Sequence, residues 1–445
     1  MLLVGLLEAP AAWAEHKRSY AQCLVSFLCP PCTERNEAWP VPYWQYREPA
    51  DVDMDKDELV AMSNLVGGHG VVIRHGFIVH SWGHPDYSHD IASAMKPVLS
   101  ILLLIALQEG LIDSVDEPLV RYEPRLADVH GGERITWRHL ANQTSGYGLG
   151  EAPGEAYAYN DYAVALYYDL LIKRVFQQDA DEVLRTRLAE PLGFEDDYTF
   201  QAFGPHDRPG RLALSPRDFA RIGLMYLRQG WWNGQQILEP ELIEKSLNSV
   251  VPADMPLTSG ETAPMLPGQR SIGGTRNLKD IGPGFYTFNW WVNGEDDEGR
   301  QLYVGAPEDT YLASGHLGKR KLWVIPSLDL VVVWNDTRVD DLTESPGNTD
   351  TLSNRAVHLL VESVTERRAG LAAAANRLIC PRSRFWQSLR FAASAGFSSA
   401  VPYLTFLAAA LADRIAGDGG QARRAAGPDK PQAGENQGSE NPRIR

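Results

Sequence analysis

Little of this sequence is cysteine, and comparatively little of it is basic. The four cysteines, Cys23, Cys29, Cys32 and Cys380, stand towards the two ends of the 445-residue chain. Its long middle therefore holds neither a thiol nucleophile nor a disulfide framework. Cys29-Pro30-Pro31-Cys32 has the CxxC form, but no βαβ pattern surrounds it and no second ligand pair follows, so neither a redox centre nor a zinc site is expected. Lysine and arginine number 42 against 57 aspartates and glutamates, a formal charge of -15. Non-specific binding to nucleic acid or to anionic membranes is driven by positive surface, so neither kind of partner is expected. Three common motifs are missing as well. The chain has no GxSxG elbow, no HExxH pair and no GxxxxGK[ST] loop, which removes the commonest α/β-hydrolase, zincin and P-loop readings. No metal and no cofactor is called for.

Long apolar runs are scarce. Met1 to Ala14 ends in a small-x-small Ala12-Trp13-Ala14 and looks faintly like a secretory signal, yet it lacks a basic start and is interrupted by Glu8 and Pro10. Cytoplasmic and exported locations both stay open. Phe391 to Ala412 is uncharged over a length that could span a bilayer, but its Ala and Ser content, Gly396 and Pro402 weigh against a spanning helix. Membrane association is not expected.

What is present is a soluble globular composition with many turns: 44% hydrophobic, 22% charged, 39 Gly and 29 Pro. The length predicts two lobes plus extensions. Residues 1–54 read as an irregular leader. Asp55 to Val66 has helical spacing after an acidic first turn, and Gly70 to Gly83 reads as a hairpin around His75-Gly76. From 114 to 284 the strand signals give way to helices over Asp161–Phe176, Ala180–Leu188, Pro216–Gln229 and Glu239–Asn248, followed by a Gly- and Pro-rich loop over Val251–Pro283. Strand patterns return at Phe285–Val292, Gln301–Gly305, Leu312–His316, Lys321–Pro326 and Leu330–Trp334, and Thr351–Arg367 closes the domain as an amphipathic helix. Residues 369–445 form an Ala/Arg-rich extension and a polar tail of disordered composition. The fold class is then α+β, an antiparallel sheet flanked by helices. One α/β lobe comprises 55–113 and 285–368, and an all-helical lobe is inserted at 114–284.

The most apolar helix of the chain starts with the one local arrangement that suggests chemistry. Ser93-Ala94-Met95-Lys96 leads into Pro97 to Leu107, a run hydrophobic on nearly every side and hence buried. A spacing of three puts Ser93 and Lys96 on one helical face within hydrogen-bonding reach. A serine hydroxyl becomes a nucleophile when a neighbour takes its proton, and burial favours the neutral lysine that can do so. The backbone N–H groups at the helix start can stabilise negative charge developing beside the serine. A Ser-x-x-Lys pair also fits an N-cap serine with a snorkelling lysine. This one, however, is the only such pair in the chain.

Further stretches follow in order: Ile135-Thr136-Trp137-Arg138-His139-Leu140 with Thr144-Ser145-Gly146, Tyr159-Asn160-Asp161, Leu212 to Arg221, Phe288-Asn289-Trp290-Trp291, and Gly315-His316-Leu317-Gly318. With Gly70 to Gly76 and the Ser-x-x-Lys, these resemble the serine β-lactamase-related family, which includes class C β-lactamases, penicillin-binding carboxypeptidases, D-aminopeptidases and esterases. The resemblance spans roughly 66–366. It implies that Ser93 is acylated, that Lys96 shares general-base duty and that Tyr159 shuttles the proton to and from the leaving group. It implies an oxyanion site between the N–H groups of Ser93 and Lys319, with Gly318 letting the strand approach the substrate closely and His316-Leu317-Gly318 in the place of a Lys-Thr-Gly motif.

Two residues depart from that pattern. Asp161 stands where Tyr-x-Asn has its asparagine, and an anion there favours charged Lys96 and shifts base duty towards Tyr159. His316 replaces a permanent cation, which turns the expectation from β-lactams, with their carboxylate, towards an ester or amide. The expected substrate is a small molecule or short peptide. The alternatives are a β-lactam hydrolase, or a non-catalytic relative that binds a peptidoglycan-like or acyl ligand in the same cleft.

Overall fold

Val71 to Ile73 and Val331 to Trp334 are unbroken apolar runs because their strands are covered on both faces. Among the described residues they belong to a sheet of seven strands: β1 His69–Arg74, β2 Phe77–Trp82, β3 Tyr286–Thr287, β4 Trp290–Val292, β5 Tyr311–Gly315, β6 Arg320–Ile325 and β7 Leu330–Asn335. The order is β2-β1-β7-β6-β5-β4-β3, and every pairing is antiparallel. The computed structural model describes residues 38–201, 210–273, 281–341 and 345–365, all within one compact unit, Pro31–Gly370. The four cysteines, the signal-like start, the Phe391–Ala412 stretch and the polar tail lie outside the described residues. Among the described residues no helix is long and apolar enough to cross a membrane.

Helix α1 (Lys56–Val66) starts at Asp55, whose carboxylate accepts from the backbone N–H groups of Asp57 and Glu58. It lies with the last helix against one face of the sheet, where Leu59, Met62, Leu360 and Val361 share a core with Val72, Val332, Trp323 and Trp334. The opposite face carries Val71, Ile73, Leu322, Val324, Val331 and Val333. Against it pack α2 (Lys96–Gln108), buried from Lys96 to Ala106, and α4 (Pro216–Leu227). Gly223 of α4 lies so close that a Cβ there would come within 2.6 Å of Leu322. Helix α3 (Asp161–Leu170) of the inserted segment belongs to this same core through Val164, Leu166 and Tyr167.

Several sequence expectations are refined. The helix expected over Asp161–Phe176 leaves the α form at Leu171 and continues as a π turn to Phe176, and the one over Ala180–Leu188 does the same from Arg185. The inserted segment is not wholly helical, since Ala213–Leu214 pairs with His89–Asp90 and Trp231–Trp232 with Gln235–Gln236. The run Phe285–Val292 is a tight hairpin, with Phe288 and Asn289 at φ 41° and 65°. Gln301–Gly305 forms a turn instead of a strand. There the Asn293 side chain accepts from Tyr303 N at 2.9 Å and donates to Tyr303 O at 3.0 Å, taking the backbone groups that a ladder would need. Helix α5 closes the domain over Leu352–Glu362.

Candidate active site

Ser93 stands in a single 3-10 turn, Ala92–Met95, that runs straight into α2. Ala92 just before it sits at φ 52°, a conformation that costs a non-glycine residue energy and needs support from its surroundings. That support comes from the Asp90 carboxylate, which accepts from Ala92 N at 2.8 Å and is paired with Arg211. Ser93 is half-buried while Ala92, Ala94, Met95 and Lys96 are all buried. The serine is thus the part of this turn that solvent reaches.

Lys96 is 1% exposed. Its Nζ lies 2.8 Å from Ser93 Oγ, 2.8 Å from Tyr159 Oη and 2.9 Å from Asp161 Oδ1. Tyr159 and Asp161 are held by α3 and the turn before it. Asn160 between them is the N-cap, accepting from Tyr162 N and Ala163 N, and its own amide N donates to Tyr147 O at 2.8 Å. Gln143 fixes the same segment from below, its side chain accepting from Asn160 N at 2.6 Å and its carbonyl accepting from Ala158 N at 2.9 Å. Its part in placing Tyr159 had no local signal.

Burial by itself would lower the Lys96 pKa, but the Asp161 carboxylate and Tyr159 outweigh it and hold the value above that of an ordinary lysine. The ammonium is therefore the resting form. A group whose folded pKa is raised contributes stability that is complete below its unfolded pKa and is lost as pH rises through the folded one. Urea unfolding of wild type and Asp161→Asn at pH 9 and pH 11 is expected to show a steeper alkaline loss in the wild type. The comparison cancels the buried tyrosines common to both, and equal losses would disprove the charged pair. Tyr157 and Tyr286, which flank Tyr159, are pushed well above the usual tyrosine pKa, chiefly by burial, and Trp291 stacks on Tyr159 with ring centroids 6.3 Å apart.

The strand on the other side of Ser93 is β5. A Cβ on Gly315 would lie 2.5 Å from Ile91 O, 2.8 Å from Ala94 N and 3.1 Å from Ser93 N, so only a glycine allows this approach. The glycine that lets β5 come close to the Ser93 turn is thus Gly315. Gly318 lies instead against Asp341, whose Oδ2 would be 1.9 Å from its Cβ. His316, Leu317 and Gly318 are not strand residues. They form a hairpin loop with φ of 48°, 57° and 83°, and the Lys319 N–H donates across it to His316 O at 3.3 Å. That bond commits the amide expected to face an oxyanion. A strand end depends on cross-strand register, Gly315 with Arg320 here, and register is not written in a local motif.

The His316 ring is exposed. Its pKa is pushed down by its partial burial and by the Arg320, Lys319 and Arg211 cations, with Asp90 opposing. It is therefore neutral at pH 7 and supplies no cation for a carboxylate.

Residues 57–351 match the family model described as Beta-lactamase, and this match covers well over half of the chain. The chain belongs to the beta-lactamase family. Solved structures similar to this family member include a candidate 6-aminohexanoate-dimer hydrolase from Bacillus anthracis, 15% identical with a TM-score of 0.50, covering 76% of this chain and 91% of that one. EstCE1, a hydrolase with promiscuous acyltransferase activity, is 15% identical with a TM-score of 0.49, covering 71% and 97%. A penicillin-binding protein homologue from Caulobacter crescentus is 14% identical with a TM-score of 0.47, covering 69% and 97%. At these identities the likeness is one of fold. No curated protein matches the chain. Among the described residues no cluster of His, Cys, Asp and Glu is arranged to hold a metal ion.

Proposed function

We propose that this beta-lactamase-family protein is a serine hydrolase that is acylated on Ser93 and cleaves an ester or amide bond of a small molecule or short peptide. The observation that carries the reading is the Lys96 ammonium, with Ser93 Oγ, Tyr159 Oη and Asp161 Oδ1 at 2.8, 2.8 and 2.9 Å. An ammonium has three protons to donate, and here three oxygens receive them. Lys96 then acts as the cation that stabilises negative charge on whichever oxygen develops it, and Tyr159 is the group that takes and returns the proton.

In acylation Tyr159 enters as the phenolate beside the Lys96 ammonium; Ser93 Oγ attacks the carbonyl carbon, and its proton passes to Tyr159 Oη. The carbonyl oxygen becomes an oxyanion facing the Ser93 N–H and the backbone at the end of β5, where Gly315 brings that strand closest. Collapse breaks the bond to the leaving group, which departs with the proton from Tyr159. Water then gives a proton to Tyr159 and attacks the acyl-enzyme, and the proton returns to Ser93 as the acid is released.

Neutral His316 supports substrates without a carboxylate to recognise. We rank esters first, D-amino-acid peptides second and β-lactams third. A fluorophosphonate is expected to label the wild type and not Ser93→Ala. p-Nitrophenyl esters should be turned over faster than a chromogenic cephalosporin or D-alanyl peptides. A wild type that takes no label and hydrolyses none of them would leave the protein as a binder.

A further inference from the structure

Lys321 lies on β6, beyond the hairpin from Ser93, and it is surrounded by the same residue types as Lys96. Its Nζ is 2.8 Å from Tyr303 Oη, 2.8 Å from Ser353 Oγ and 2.8 Å from Asp341 Oδ2, and Ser353 Oγ donates to Asp341 Oδ2 at 3.0 Å. Access separates the two clusters. Ser93 is half-buried, whereas Lys321 and Ser353 are 0% exposed, so no substrate reaches the second serine. A lysine, a serine, a tyrosine and an aspartate closed off from solvent have only a structural use open to them, and their neighbours indicate which.

Asp341 touches the hairpin twice. Its backbone N–H donates to Leu317 O at 2.9 Å, and its carboxylate lies in the space that a side chain on Gly318 would occupy. The Gly318 carbonyl in turn accepts from the Trp334 indole at 2.9 Å. The held loop is one that would otherwise relax, because His316 and Leu317 are consecutive non-glycine residues at φ 48° and 57°. The residue immediately before it is Gly315, which lies against the backbone of Ser93.

We propose that Lys321 and Asp341 are positioning residues: their buried pair holds the Leu317–Gly318 turn, and through that turn keeps Gly315 against the backbone of the nucleophile. The proposal rests on the reading of Ser93 as that nucleophile. It differs from a role in stability alone, because a loosened turn costs rate even in molecules that are fully folded.

The full-length wild type, Lys321→Met/Asp341→Leu and Tyr303→Phe are to be compared by thermal melting, and by kcat and KM on p-nitrophenyl acetate well below the melting transition. Removing both charges leaves neither one buried alone, so the double variant is expected to fold. Its kcat should fall about 100-fold with KM changed by no more than about threefold, since small misplacements at a reacting centre cost that much. A folded double variant with wild-type kcat overturns the proposal. Should the double variant not fold, Tyr303→Phe decides in the same assay: a kcat loss of at least about threefold supports the proposal, and an unchanged kcat overturns it. A wild type that takes no fluorophosphonate and turns over no ester fails differently, removing the Ser93 reading and this inference with it.

Discussion

Lys96→Ala is expected to lower kcat on a p-nitrophenyl ester by on the order of 1000-fold, the scale of a lost acid–base or charge-stabilising group. It should also destabilise the fold by about 3–5 kcal/mol. Both effects come from one geometry. The lysine is 1% and Asp161 3% exposed, and they are 2.9 Å apart, so removing the cation leaves a carboxylate buried without its partner. Asp161 also lies at the first position of α3, where the helix end favours a negative charge without replacing the ion pair. The double variant Lys96→Met/Asp161→Asn separates the two effects. Removing both charges should restore most of the stability while turnover stays lost. Urea unfolding beside steady-state kinetics reads this directly. A Lys96→Ala enzyme within about tenfold of wild-type kcat would take Lys96 out of the chemistry, and an unchanged unfolding free energy would deny the buried pair.

The second large effect is expected at a residue with no side chain. In Gly315→Ala the new methyl would stand 2.5 Å from Ile91 O and 2.8 Å from Ala94 N. These are backbone atoms that cannot swing aside. Either β5 or the Ser93 turn must shift, and β5 is held by its pairing of Gly315 with Arg320, Ser314 with Lys321 and Ala313 with Leu322. A shift of the turn would disturb Ala92, already at φ 52°, and with it the direction of Ser93 Oγ. The expected result is a stability loss of about 1–3 kcal/mol from overpacking, with the rate of fluorophosphonate labelling falling about 100-fold as the nucleophile leaves its productive geometry. Gly315→Ala labelling at the wild-type rate would show that the strand does not set the nucleophile.

Much of the α+β fold was legible because its signals are local. Helix α1 has its Asp55 cap and acidic first turn, the His75-Gly76 turn joins β1 to β2, and the apolar run of α2 is buried from Lys96 to Ala106. Errors fell where a side chain from another part of the chain decides the backbone. Gln301–Gly305 has strand composition but is bent by Asn293. His316 and Lys319 belong to a hairpin loop held by Asp341. Nothing in Gly315-His316-Leu317-Gly318 states which of its two glycines meets the nucleophile.

By itself the sequence determined that Ser93 and Lys96 face one another, since three residues along a helical turn bring two side chains together whatever surrounds them. It also determined that an acid, Asp161, would stand in the motif two residues after Tyr159. Only the tertiary structure decided that Asp161 lies 2.9 Å from the Lys96 nitrogen in a buried place and that β5 reaches Ser93 at Gly315. The reason is physical: the charge on a buried lysine depends on the distance to its partners and on the loss of water, and both come into being only when α2, α3 and β5 are packed together.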